Sequence, residues 1–241
     1  MTARDLDRSI RDQLRTLSKE NAEGVAGHLV MAGRLLDEAP EAALAHAETA
    51  VRRAGRVAAV REMRGIVAYH MGDWAGALGE FRTARRLSGS HHVLPFIVDC
   101  ERALGRPERA LELAGSPEAE SLDVAERVEL AIVVSGIRRD LGELQAAAAG
   151  LEMPELVRPA RAPWAARLRY AYAEIKLAQG DPESARTWFR RAADADENLA
   201  TDAVERIEEL DGVSYSDLLD DLEDLDEADE SGDLDGRAGS T

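Results

Sequence analysis

Aromatic residues are scarce in this chain, at only 4% of 241 residues. Sandwiches and barrels are built largely from aromatic and β-branched side chains, so this scarcity points away from both. No stretch sustains the two-residue alternation of a half-buried strand, and none is predicted. Cysteine occurs once, as Cys100, which excludes an internal disulfide and makes a cytoplasmic address the expectation. No apolar run nears the roughly 18 residues of a membrane span. The opening MTARDLDRSIRDQLRTL is charged throughout, so no secretory apolar region is expected there. Lysine is confined to Lys19 and Lys176, and the other basic side chains are Arg, which reads as GC-rich coding. Enzyme signatures are also missing. There is no GxxxxGK phosphate loop, no GxGxxG, no HExxH and no GxSxG. A non-catalytic protein without a bound cofactor is the expectation.

Acid is plentiful. The net charge is −17, and it is unevenly placed. From Asp211 onward twelve acids face the single Arg237, a charge of −11, which leaves −6 for residues 1–210. A surface of that sign disfavours nucleic acid as a partner, since phosphates need basic neutralisation.

Helical spacing of apolar residues dominates the first 210 positions. Helices are predicted over 3–17, 20–37, 57–71, 74–88, 95–104, 107–115, 122–139, 143–151, 164–179, 182–194 and 198–210. Another, EAALAHAETAVRR, opens at Pro40 and ends near Gly55. Gly and Pro punctuate them, as at Gly72–Asp73, Gly105–Arg106–Pro107 and Gly180–Asp181–Pro182. The segment 150–163 carries three prolines and is predicted as a loop with at most a short helix.

Five of these residues recur as a set. Gly65, Gly72, Ala77, Phe81 and Ala84 return 108 positions later as Ala173, Gly180, Ala185, Phe189 and Ala192. Asp73 and Arg82 return as Asp181 and Arg190 at the same step. The step holds three units of about 36 residues, a period typical of stacked helical repeats.

The two copies resemble the tetratricopeptide repeat, a helix-turn-helix unit of about 34 residues. That family carries small residues at positions 8, 20 and 27, often Gly at 15 and an aromatic at 24. Residues 58–91 and 166–199 match at all five. Units at 24–57, 91–124 and 128–161 match more weakly, with Ala47 and Ala114 at the aromatic position of the first two. The whole chain is similar to small stand-alone tetratricopeptide proteins of GC-rich bacteria. The resemblance implies an all-α, right-handed solenoid of four to five repeats over residues 1–210. Residues 1–20 hold an N-terminal helix and 198–210 a capping helix. An ordinary Ala-rich bundle is the competing architecture, and the shared 108-residue step argues against it.

The family's first helices line a concave groove that holds peptides or protein segments. Carried onto this chain, the groove positions are His28, Glu62, Ile66, Tyr69, His70, Asp99, Arg102, Arg139, Arg167, Tyr170 and Glu174. Specificity is expected where the copies differ, as at Glu62 against Tyr170 and Tyr69 against Leu177. The basic clamp by which chaperone-binding members hold a terminal carboxylate is missing. His28, Ala32, Met63, His92 and Phe96 stand at its sites. The implied function is an adaptor or scaffold for a protein or peptide. The alternative is a regulatory module of a transcription or signalling system.

Three other features are weighed and set aside. Cys100 sits in an apolar helix and reads as a small buried hydrophobe. His91–His92 lacks the further ligands of a metal site. Asp194, Asp196, Asn198, Asp202 and Glu205 follow the spacing of a calcium loop, but Leu199 occupies the position that needs glycine. No metal is expected.

Residues 211–241 are too charged and too poor in apolar groups to fold alone. Within them Tyr215, Leu218, Leu219, Leu222 and Leu225 keep helical spacing. Two roles are open: a solubilising tail, or a docking motif for a partner's groove or for this protein's own.

Overall fold

Residues 6–158 and 162–212 are described by a computed structural model. They are helices and turns, with no strand among the described residues. The chain forms two compact units, Met1–Leu151 and Glu152–Thr241.

The first unit opens with α1 (Arg8–Leu14). Four helix-turn-helix hairpins follow: α2 (Lys19–Arg34) with α3 (Pro40–Ala54), α4 (Ala58–His70) with α5 (Trp74–Ser88), α6 (Leu94–Ala103) with α7 (Pro107–Ala114), and α8 (Val124–Asp140) with α9 (Leu144–Leu151). Each hairpin packs on the next in chain order, which is the contact pattern of a solenoid. The second unit holds a single turn of helix, α10 (Pro154–Val157). A fifth hairpin, α11 (Pro163–Ala178) with α12 (Pro182–Ala193), follows, and then α13 (Ala203–Asp211) packs on α12.

Local chemistry explains the boundaries. Gly72 and Gly180 sit at φ +75° and +79°, a left-handed turn that glycine adopts without a Cβ penalty. Asp73 and Asp181 follow, and their carboxylates accept from the backbone N–H groups of Gly76 and Ser184 at 2.9 and 3.1 Å. Asp123 and Glu126 make a reciprocal capping box at the start of α8. Pro occupies the first turn of α3, α7, α11 and α12, where no N–H is needed.

The recurring residues prove to be contacts. Phe81 is fully buried, and its ring lies so close to Gly65 that a Cβ there would stand 2.9 Å from it. In the other copy Ala173, Phe189, Ala185 and Ala192 form one buried cluster. The small residue on the first helix makes room for the aromatic on the second, and that pairing closes these two hairpins.

Several predicted ends shift. The first helix spans Arg8–Leu14 rather than reaching residue 17. The hydroxyl of Thr16 donates to the carbonyl of Gln13, and Ser18 caps α2. Its predicted start at residue 3 lies outside the described residues. The second helix stops at Arg34, and Leu35–Asp37 form a turn. The last helix begins at Ala203, not 198. The Asp196 carboxylate accepts from the N–H groups of Ala200 and Thr201 and from the Thr201 hydroxyl, which holds this stretch as a turn. Residues Pro117–Ser121, given no element from sequence, form a 3₁₀ turn.

Candidate functional site

On α4, Glu62, Ile66 and Tyr69 follow one another at steps of four and three, which aligns them on one face. On and just before α6, His92, Phe96, Asp99 and Arg102 do the same. These two faces meet through polar pairs. Glu62 Oε2 lies 2.9 Å from His92 Nε2, and His92 Nδ1 lies 2.9 Å from the Ser90 hydroxyl. The bond to Glu62 holds the His92 imidazole above its usual range, against the opposing effect of burial. One helical turn further on, the Tyr69 hydroxyl donates to Asp99.

Arg102 carries the series to α8. It donates from Nη1 to Asp99 Oδ1 at 3.4 Å and from Nε to Asp140 Oδ2 at 2.7 Å. Its guanidinium lies against Gly136, where a Cβ would come within 2.5 Å of Nη1. Arg139 stands beside the same Asp140 at 4.0 Å. Tyr69, Asp99, Arg102 and Asp140 thus form a chain of bonds across three successive first helices.

An aromatic patch adjoins this chain. Tyr69 meets Phe96 edge-on at 5.4 Å and Trp74 edge-on at 5.1 Å. Phe96 also stacks on the buried Phe81 at 5.0 Å. Phe96 is 36% exposed, and it is the one aromatic among the large exposed apolar residues described. A ring open to water on one side and clamped by other rings behind is a rigid apolar contact point. Ile66 packs beside this cluster with Tyr69.

The other candidate residues are placed differently. His28 faces its own hairpin partner, with Nδ1 2.9 Å from Nδ1 of His46. Burial, then His46 and the nearby Arg53 and Arg52, hold its imidazole below the usual range. His70 lies 3.7 Å from Asp37 in the turn after α2, and both are exposed. In the second unit, Glu174 accepts from Arg206 of α13 at 3.0 Å, and Tyr170 shares a hydrogen bond with Asp202. Arg206 also lies over the Phe189 ring, 5.7 Å from its centre. Tyr170 and Glu174 therefore hold α13 in place. Arg167 is exposed on α11. Tyr215, Leu218, Leu219, Leu222 and Leu225 lie outside the described residues.

Phe96, Trp74 and Asp140 belong to the face, although none is among the groove positions carried over from the family; Phe96 stands there only at a site of the missing basic clamp. The signal for Phe96 was present: it stands three residues before Asp99 on a helix, in a chain short of aromatics. Trp74 and Asp140 lie at hairpin turns, where helical spacing gives no direction.

Cys100 is fully buried, and burial pushes its thiol up to about 12. No group of three or more His, Cys, Asp or Glu is gathered for a metal among the described residues. Asp196, one of the calcium-like acids, is engaged by Ala200 and Thr201. No helix among the described residues is long and apolar enough to cross a membrane.

These observations define a class: an all-α protein of helix-turn-helix repeats with a mixed polar and aromatic first-helix face. No family model and no curated protein matches the chain. Among solved structures it is similar to YrrB, described as a TPR protein with an unusual peptide-binding site. The identity is 17% and the TM-score 0.42, over 71% of this chain and 86% of that one. It is also similar to yeast Tom70, at 16% identity and a TM-score of 0.44. That match covers 78% of this chain and 46% of Tom70, so the chain spans less than half of Tom70's length. Both likenesses are distant, and the architecture rests on the hairpins described above.

Proposed function

We propose that the five hairpins are tetratricopeptide-like units and that the chain is a non-catalytic, cytoplasmic adaptor. It holds a peptide or protein segment against the first-helix face of α4, α6 and α8. The observation that carries this reading is the half-open Phe96 ring, clamped by Tyr69 and Phe81 and set beside the Tyr69–Asp99–Arg102–Asp140 chain. Such a face offers an apolar anchor next to fixed charges. Peptide recognition uses both, the first for affinity and the second for register.

Residues 1–210 are the repeat region, and the acidic tail is a solubilising or docking appendage. The partner is a protein; its identity is set by the residues that differ between repeats.

The test is selection of peptides from a random library on the full chain, followed by titration of the best binder. Phe96→Ala is expected to weaken binding about tenfold or more, the loss typical of a central aromatic anchor. Asp99→Asn is expected to weaken it less and to shift the charge preference of the selected peptides. Equal affinity for the parent chain and both variants would place the binding surface elsewhere.

A further inference from the structure

We propose that a basic cleft between α1 and α2 receives residues 214–225 of a second copy of this chain. The cleft measures about 780 Å³. Arg8, Arg11, Arg15 and Lys19 rim it, and Leu14 and Leu17 form part of its apolar lining. Arg8, Arg11 and Arg15 follow at steps of three and four, so they make one stripe along α1, and Lys19 stands at the start of α2. Asp12 is the acid that answers them, 3.8 Å from Arg8 and 3.3 Å from Arg15. Among the described residues no carboxylate pairs with Arg11 or Lys19. Glu23 is the other acid in the lining. Lys19 also opens α2, so the positive end of that helix adds to the field. A surplus of positive charge over an apolar floor stands out on a chain whose net charge is −17.

The segment 214–225 is the complement of this stripe. It reads SYSDLLDDLEDL, with five acids and no base. At helical spacing Asp217, Asp221 and Asp224 form one line, and Leu218, Leu222 and Leu225 form the line beside it. Acid meets base and leucine meets leucine when such a segment lies along the cleft. Each copy carries both halves of the pair, so the contact runs head to tail from one copy to the next. This extends the docking role given to the tail and does not involve the peptide face on α4, α6 and α8.

The experiment is sedimentation equilibrium of the full chain over about 1 μM to 1 mM, the span from firm to weak association. The parent chain is expected to rise above its monomer mass of 26.2 kDa with concentration. Arg8→Glu/Arg11→Glu/Arg15→Glu makes the cleft acidic, and Asp217→Lys/Asp221→Lys/Asp224→Lys makes the segment basic. Each variant alone is expected to stay monomeric, and an equimolar mixture is expected to associate again. The tail variant leaves the described helices untouched, so its result stands even if the cleft variant folds poorly. A parent chain that stays monomeric throughout would overturn the proposal, as docking within one chain also would. Association that survives either charge reversal would overturn it as well.

Discussion

Two histidines of the first unit have opposite surroundings, and their titrations should separate accordingly. His92 bonds Glu62, which favours the imidazolium, so its folded pKa lies above 6.5. Its contribution to stability is complete below 6.5 and is lost as the pH rises through the raised value. His28 is part-buried against His46 with Arg53 and Arg52 nearby, and its folded pKa lies below 6.5. Its neutral form is the one the fold accommodates, so stability falls as the pH drops below 6.5. Titration of the imidazole resonances by NMR should show His92 protonating at higher pH than His28. Glu62→Gln should lower the His92 midpoint and leave that of His28 in place. The pairing of Glu62 with His92 could not be read from sequence, because the two stand 30 positions apart, one on α4 and the other in the turn before α6.

At the scale of the hairpin, the controlling contact is small residue against aromatic ring. Gly65 leaves no space for a Cβ beside the fully buried Phe81, whose ring carbons would stand 2.9 Å from it. Gly65→Ala should therefore destabilise the fold, by about 1–2 kcal/mol once the helix-forming gain of Ala is set against overpacking. Thermal denaturation reads this directly. The second copy places Ala173 against Phe189, so this hairpin already accommodates the extra carbon. The hairpins themselves were legible in the sequence, since Gly turns, Asp caps and apolar spacing are all local signals. Helix ends were less so. The start of α13 depends on how Asp196 folds back on Ala200 and Thr201, a turn that apolar periodicity does not register.

For the whole molecule, a repeat architecture spreads stability over neighbouring contacts instead of one shared core. Phe81 joins the packing of α4, α5 and α6, through Gly65 and Phe96. Phe81→Ala should cost about 3–5 kcal/mol, the usual range for a buried phenylalanine. Hydrogen exchange should show that loss in the amides of α4–α6, with the amides of α11–α13 close to their parent rates. Equal loss of protection in both units would mean that the chain unfolds as a single cooperative block. The second unit has its own buried cluster, around Ala173, Ala185, Phe189, Ala192 and Ala203. Its α13 is fastened by Arg206 to Glu174 and by Arg186 to Asp211.

The sequence by itself determined the all-α class, the hairpin period and the small and aromatic residues that pack it. Those properties follow from spacing along one chain and from the conformational limits of Gly, Pro and Asp. Only the tertiary structure decided which candidate residues share a face. Tyr69, Phe96, Asp99, Arg102 and Asp140 are brought together across three helices. Tyr170 and Glu174, at corresponding repeat positions in the second unit, are engaged by α13. Repeat position tells which side of its own helix a residue occupies. Whether that side stays open or receives another helix is set by packing between distant segments, which no local periodicity encodes.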